Sequence, residues 1–255
     1  MGTMPTWAVV NQKGGVGKTT TAVNFAAGLA MRGKRVLLID SDPQGNATTG
    51  VGVEKRDLKA SLYDVLAECA LIEGAIVETS VQGLDLVPST LDLAGAEPAL
   101  LGTVGRETVL REALEAIVGR YEWTLIDAPP SLGILTINAL AAADGAIIPM
   151  QCEFYALEGL SQLISTFELI KRRIHPNLKV EKVLLTMFDK RNRLSQQVEE
   201  EVRGYFGDTV SKIAIPRNVR LSEAPGFGEP AVLRYPASSG AEAYMAFVDE
   251  VLGNA

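Results

Sequence analysis

The sequence predicts an α/β fold, a mostly parallel β-sheet flanked by helices on both faces. Three observations predict it. Short apolar runs alternate with longer stretches of helical character along the 255 residues. Five of the six clearest runs are continuous rather than alternating, as strands covered on both faces must be. A glycine-rich loop joins the first run to the first helical stretch, the setting in which a helix N-terminus and backbone N–H groups gather around an anion.

In chain order, residues 7–10 read as a strand, the glycine loop follows, and 19–31 read as a helix. Strands follow at 35–39 and, from a shorter run, at 84–87. Residues 123–126 form the next strand, 131–142 a helix, 146–150 a strand and 158–173 a helix. A strand at 182–187 leads to a helix over 195–206, where Val198, Val202, Tyr205 and Phe206 recur at helical spacing and read as core. A last strand is predicted at 212–215 and an ordered surface loop at 224–236, which holds three prolines and two glycines. Ser239 with Glu242 reads as a capping box opening a final helix to about Leu252. With no linker, repeat or low-complexity tract, residues 1–255 read as a single domain.

Composition excludes several classes. Hydrophobic content of 47% with 22% charged residues is that of a folded soluble chain, and no apolar run approaches the ~20 residues that span a bilayer. The N-terminus lacks the charged and apolar regions of an export signal, so a cytoplasmic location is expected. The two cysteines, Cys69 and Cys152, are far apart and outside any C-x-x-C pair, so they read as buried structural thiols. Net charge is −7, yet residues 171–220 carry 12 Lys and Arg against 6 Asp and Glu, which leaves −13 elsewhere. That asymmetry predicts a basic face on an acidic body. His175, the one histidine, precedes a proline and reads as a surface residue at a helix end.

The stretch NQKGGVGKTTT, Asn11 to Thr21, carries the chemistry. Gly14, Gly15, Val16 and Gly17 let successive N–H groups turn inward around phosphate oxygens, Lys18 can reach the outer phosphates, and Thr19 can place its hydroxyl on Mg²⁺, with Thr20 beginning the helix beside it. The strict pattern G-x-x-x-x-G-K-[ST] asks for glycine where Gln12 stands, and a dinucleotide fingerprint asks for glycine where Thr20 stands. Lys13 is surplus to a loop of this kind.

With that surplus lysine, KGGVGKT resembles the deviant Walker A loop of the ParA/MinD superfamily of P-loop NTPases. The resemblance implies that Lys13 of one subunit reaches the phosphates held by the other, so that a homodimer sandwiches two ATP molecules. Such a cation would stabilise charge that develops during hydrolysis, as an arginine finger does. LLIDSDPQGNAT, residues 37–48, matches the same superfamily: Asp42 resembles the residue that positions attacking water and Asp40 one that organises the Mg²⁺ shell. TLIDAPPSLG ends a strand in Asp127, which resembles the Walker B carboxylate that holds magnesium through water, and 128–133 follow as a switch segment.

LLTMFDKRNRLSQQV and IPRNVRLSEAP, residues 184–198 and 215–225, narrow the resemblance to the chromosome-partitioning ATPases of the ParA/Soj family, and it runs over roughly residues 7–251. It implies Met187, Pro216, Arg217 and Asn218 around the adenine, and Arg191, with Arg193 and Arg220 as neighbours, on non-specific double-stranded DNA. It also implies a nucleoid-associated location, hydrolysis of ATP to ADP and phosphate with Mg²⁺, and a ParB/Spo0J-type partner that stimulates it. A MinD-like membrane ATPase would carry a basic C-terminal helix, whereas the tail GAEAYMAFVDEVLGNA has three acidic residues and no Lys or Arg, so no membrane is expected. A nitrogenase-type iron protein would need cysteines that 128–140 lack, and a small-molecule ATP-dependent ligase would need an acceptor cleft rather than basic loops.

Overall fold

A computed structural model describes residues 5–100, 102–153 and 158–253. Among them seven strands form one sheet: β1 (Thr6–Val9), β2 (Val36–Asp40), β3 (Val77–Glu78), β4 (Leu84–Val87), β5 (Trp123–Asp127), β6 (Gly145–Gln151) and β7 (Lys179–Thr186). Their order is β3-β4-β2-β5-β1-β6-β7, and every neighbouring pair is parallel except β3 with β4. The register sets Val9 and Asp40 both opposite Asp127, so the chain leaves β1 directly beside two carboxylates.

Alternation along the strands divides the core in two. Val9, Leu38, Leu125, Ile147 and Leu184 pack under helices Lys18–Met31 and Ser239–Val251. Ala8, Leu37, Ile39, Ile126, Ile148 and Leu185 face the helices Leu62–Leu66, Val109–Glu115, Ile134–Ala142, Glu158–Arg173 and Arg193–Phe206. Gly28 lets the first pair of helices touch, because a Cβ there would lie 2.6 Å from a Val248 methyl. Phe25, fully buried, lies between Trp7 (ring centroids 6.2 Å apart), Trp123 (6.0 Å) and Phe247 (5.1 Å). Phe25→Ala is expected to cost about 3–5 kcal/mol, read as a lower urea midpoint at an unchanged slope.

Six of the seven predicted strands are present, and 84–87 is matched residue for residue. Residues 212–215 are not a strand. The N–H groups of Lys212 and Ile213 are taken by the Glu250 carboxylate (3.0 and 3.3 Å) and the Ser211 hydroxyl, so only isolated bridges form, Val183 with Val210 and Phe188 with Pro216. The final helix is capped one residue earlier than predicted, by the Ser238 hydroxyl accepting from Ala241 N–H, while the Ser239 hydroxyl accepts from Asn218. Tyr205 is 68% exposed, because helical spacing fixes a face but not how far along the helix the core extends. Residues 224–236 contain two short helices, Ala224–Phe227 and Ala231–Arg234, and Val232 N–H donates to Asn24 in the first helix, which buries part of the expected surface loop. Cys152 is buried as expected, but Cys69 is exposed. His175 follows helix Glu158–Arg173 and its N–H donates to Ile170 O.

Candidate functional site

The loop after β1 is shaped by its glycines. Gly15 (φ +76°) and Gly17 (φ +88°) occupy left-handed backbone that side chains avoid, and Gly17 is the N-cap of helix Lys18–Met31. A Cβ on Gly14 or Gly15 would meet nothing within 4 Å, so the backbone there is open to approach, and the helix that follows adds partial positive charge. Thr186 at the end of β7 donates through Oγ1 to Val16 O (2.8 Å), tying the loop to the sheet.

Lys18 is buried, and its ammonium donates to Lys13 O (3.0 Å). Burial pulls its pKa down, and the Asp127 and Asp42 carboxylates oppose that. Asp127 is fully buried with no well-formed hydrogen bond to either oxygen. Burial and the adjacent Asp40 push its carboxyl well above the ordinary range, against weaker help from the Thr19 hydroxyl and Lys18. Four of the five unpartnered buried polar atoms among the described residues belong to Gln12, Ser41 and Asp127, just past or at the ends of β1, β2 and β5. Buried polar groups are almost always partnered, so these atoms offer hydrogen-bonding capacity to a polar group at the ends of the strands.

Asp40 and Asp42 divide the work of their loop. Asp40 accepts from Thr48 N–H (2.7 Å), the Thr48 hydroxyl (2.8 Å) and Asp42 N–H (3.2 Å), while burial pushes its carboxyl up to about 6. Its oxygens are engaged in holding the loop. Asp42 is fixed through its main chain, its carbonyl accepting from the Ser89 hydroxyl (2.7 Å), while one carboxylate oxygen accepts from Gln44 N–H (2.9 Å). Among the described residues no group of three or more His, Cys, Asp or Glu could hold a metal by itself. Magnesium fits this donor set, since it takes one or two carboxylates and completes its shell with water and phosphate oxygens. Asp127 and the Thr19 hydroxyl are the groups that could hold it.

Met187, Pro216, Arg217 and Asn218, from two separate segments, line one cavity of about 180 Å³ together with Gly17 and Thr20 of the loop. Met187 takes a left-handed backbone (φ +51°), a conformation that costs a non-glycine residue about 1–2 kcal/mol, and the next residue, Phe188, donates its N–H to Ile215 O. Sequence reading missed Thr186, Ile215, Leu221, Ser222 and Tyr244, which complete the lining. Tyr244 is fully buried with its hydroxyl 3.0 Å from that of Thr21, and only its helical spacing to Phe247 and Val248 hinted at an inward position.

Comparison with known proteins supplies the rest. A family model described as an AAA domain matches residues 4–180. The sporulation initiation inhibitor protein Soj of Bacillus subtilis is 55% identical over 97% of this chain and 98% of its own length. The chromosome-partitioning ATPase Soj of Thermus thermophilus is 49% identical, over 96% and 94%. This chain belongs to the ParA/Soj family of chromosome-partitioning ATPases. Among solved structures, a cobyrinic acid a,c-diamide synthase from Mycobacterium smegmatis with bound ADP and magnesium is 38% identical, with a TM-score of 0.86 over 98% of this chain and 94% of that one.

Two features of this ParA/Soj chain lie outside the pocket. The Lys13 ammonium does not turn into its own loop but pairs with Glu153 Oε2 (2.9 Å), both side chains being partly exposed. Sequence gave no sign of this partner. An ion pair so wetted is worth at most about 1 kcal/mol, so Lys13 is released at little cost. The three arginines are exposed: Arg191 pairs with Asp189, Arg193 opens helix Arg193–Phe206, and Arg220 pairs with Glu223 (2.7 Å) with its guanidinium over Tyr235. The segments that carry them are joined by the Phe188–Pro216 bridge beside the base-sized cavity. No described helix is long and apolar enough to cross a membrane.

Proposed function

We propose that this chain binds ATP with Mg²⁺ in the glycine loop, forms a two-fold dimer in that state and holds non-specific double-stranded DNA on its arginine face until hydrolysis separates the subunits. The observation that carries this reading is the unequal placement of the two loop lysines. Lys18 is buried against Asp127, and Lys13 points outward on a weak ion pair. Lys18, the loop N–H groups and Thr20 bind the phosphates; Met187, Pro216, Arg217 and Asn218 hold the adenine. Thr19 and Asp127 hold magnesium, with Asp40 keeping the loop in place, and the bound ion would draw charge from the phosphate oxygens. Asp42 orients the attacking water, and Lys13 from the partner subunit offsets charge developing on the transferred phosphoryl group.

On this reading the arginines are free to exchange Asp189 and Glu223 for DNA phosphates, since exposed pairs contribute little. Two copies in the dimer double those contacts and steepen the salt dependence. A ParB/Spo0J-type partner then accelerates hydrolysis and releases the chain from the nucleoid. Size measurement with ADP, ATP and an unhydrolysable analogue, with and without duplex DNA, tests the cycle: a dimer is expected only with the triphosphates, and only the dimer is retained on DNA. Arg191→Glu is expected to keep the ATP dimer, to weaken DNA binding at every sequence alike, and to lower the slope of log affinity against log salt by about 1 or more per subunit. Normal DNA binding by that variant across a salt titration would remove Arg191 from the surface.

The structural likeness to an amide-forming synthase favours one second reading, a ligase that activates a small acid with ATP. It is separated by product analysis. Phosphate released from ATP with no acceptor present, faster with DNA, supports the partitioning cycle, whereas dependence on an added carboxylic acid supports the ligase.

A further inference from the structure

On the sheet face opposite the first helix, away from the loop, a groove of about 390 Å³ runs between residues 65–73 and helix Val109–Glu115. Its floor is apolar, formed by Val65, Ile72, Val109 and Ala113, with Leu71 77% exposed at one lip. Three carboxylates, Glu68, Glu73 and Glu112, stand on its rim, and no Lys or Arg is among its described lining residues. The walls are preformed. Leu110 N–H donates to Asn138 Oδ1 (3.1 Å), and Asn138 Nδ2 donates to Arg106 O (2.7 Å), which clamps helix Val109–Glu115 to helix Ile134–Ala142. On the other wall, Glu68 is held in left-handed backbone (φ +55°), where glycine or asparagine is usual, while the N–H groups of Cys69 and Ala70 both bond Asp64 O.

An apolar floor between helical walls suits the apolar stripe of a short helix, and a rim of three carboxylates without a cation selects lysine or arginine on its flanks. From this geometry we infer that the groove is a docking site for a cationic amphipathic helix of a partner chain. Arg191, Arg193 and Arg220 are not among the residues that line the groove. The inference does not depend on the ATPase reading, and it is tested on nucleotide-free protein.

The probe is a short, labelled peptide with leucines on one helical face and lysines on the other; its control has glutamate for lysine. Only the lysine peptide is expected to bind. Cys69 lies in the groove and is exposed, while Cys152 is buried with its thiol pushed up to about 12 by burial and Glu199, so a water-soluble thiol reagent reads Cys69 alone. Bound peptide is expected to protect Cys69. Ala116→Trp, at an exposed lining position, fills the groove with every charge intact, and Glu73→Lys reverses one rim charge; each is expected to weaken the peptide by about tenfold. Glu201→Lys, on helix Arg193–Phe206, makes the same change of net charge elsewhere and is expected to leave binding unchanged. Equal affinity for wild type, Ala116→Trp and Glu73→Lys, or a Cys69 whose reactivity ignores saturating peptide, would overturn the assignment.

Discussion

Lys18→Ala is expected to reduce ATP affinity by about 100-fold or more, whereas Lys13→Ala keeps that affinity within a few-fold and loses the ATP-dependent dimer together with most of the hydrolysis. The difference follows from where the two ammonium groups are. Lys18 is buried at the loop, within reach of the charges of Asp127 and Asp42, so its removal takes a cation from the place where phosphates would sit. The Lys13 side chain reaches outward to Glu153, and the Lys13 carbonyl that accepts from Lys18 is one that alanine would also supply. Calorimetry of ATP binding paired with light scattering separates the two roles. Loss of affinity in both variants, or a normal dimer in Lys13→Ala, would refute the division of labour.

The second large effect is expected at Asp42. Asp42→Ala should cut phosphate release by about 10²–10⁴-fold, the usual worth of a positioned acid or base, while ATP still binds and the ATP form accumulates as a dimer on DNA. The scaffold around Asp42 does not depend on its carboxylate: the main chain is held by Ser89 on the carbonyl and by Asp40 on the N–H. Only the bond from Gln44 N–H is lost, worth about 1 kcal/mol. Single-turnover phosphate release beside a DNA-retention assay gives the answer, and rapid turnover by the variant would eliminate the water-positioning role. The same substitution at Asp40 is expected to behave differently, because Asp40 carries three hydrogen bonds that fix the loop, and its loss should lower stability as well as rate.

Most of the sheet could be read from apolar runs because strands covered on both faces admit few polar residues; β1, β2, β4, β5, β6 and β7 all fall where the runs do. The loop was legible for a different reason. Gly15 and Gly17 occupy backbone that other residues resist, and Lys18 and Thr19 follow at the helix start, so a local pattern specifies a local geometry. β3 was missed because a two-residue antiparallel strand exists only through its neighbour β4. The predicted strand at 212–215 failed because Glu250, distant in sequence, takes the N–H groups that a ladder would need.

What the sequence determined by itself was the order of the elements, the phosphate-sized loop and the chemistry of each candidate side chain, since these depend on residues close together in the chain. Tertiary structure alone decided that Asp127 is sealed beside Asp40, that Lys13 is paired with Glu153, and that Met187 shares one cavity with Pro216, Arg217 and Asn218. Those facts arise from strand register and from segments packing across the sheet. Register is set by the burial of whole faces at once, so no short stretch of sequence contains it.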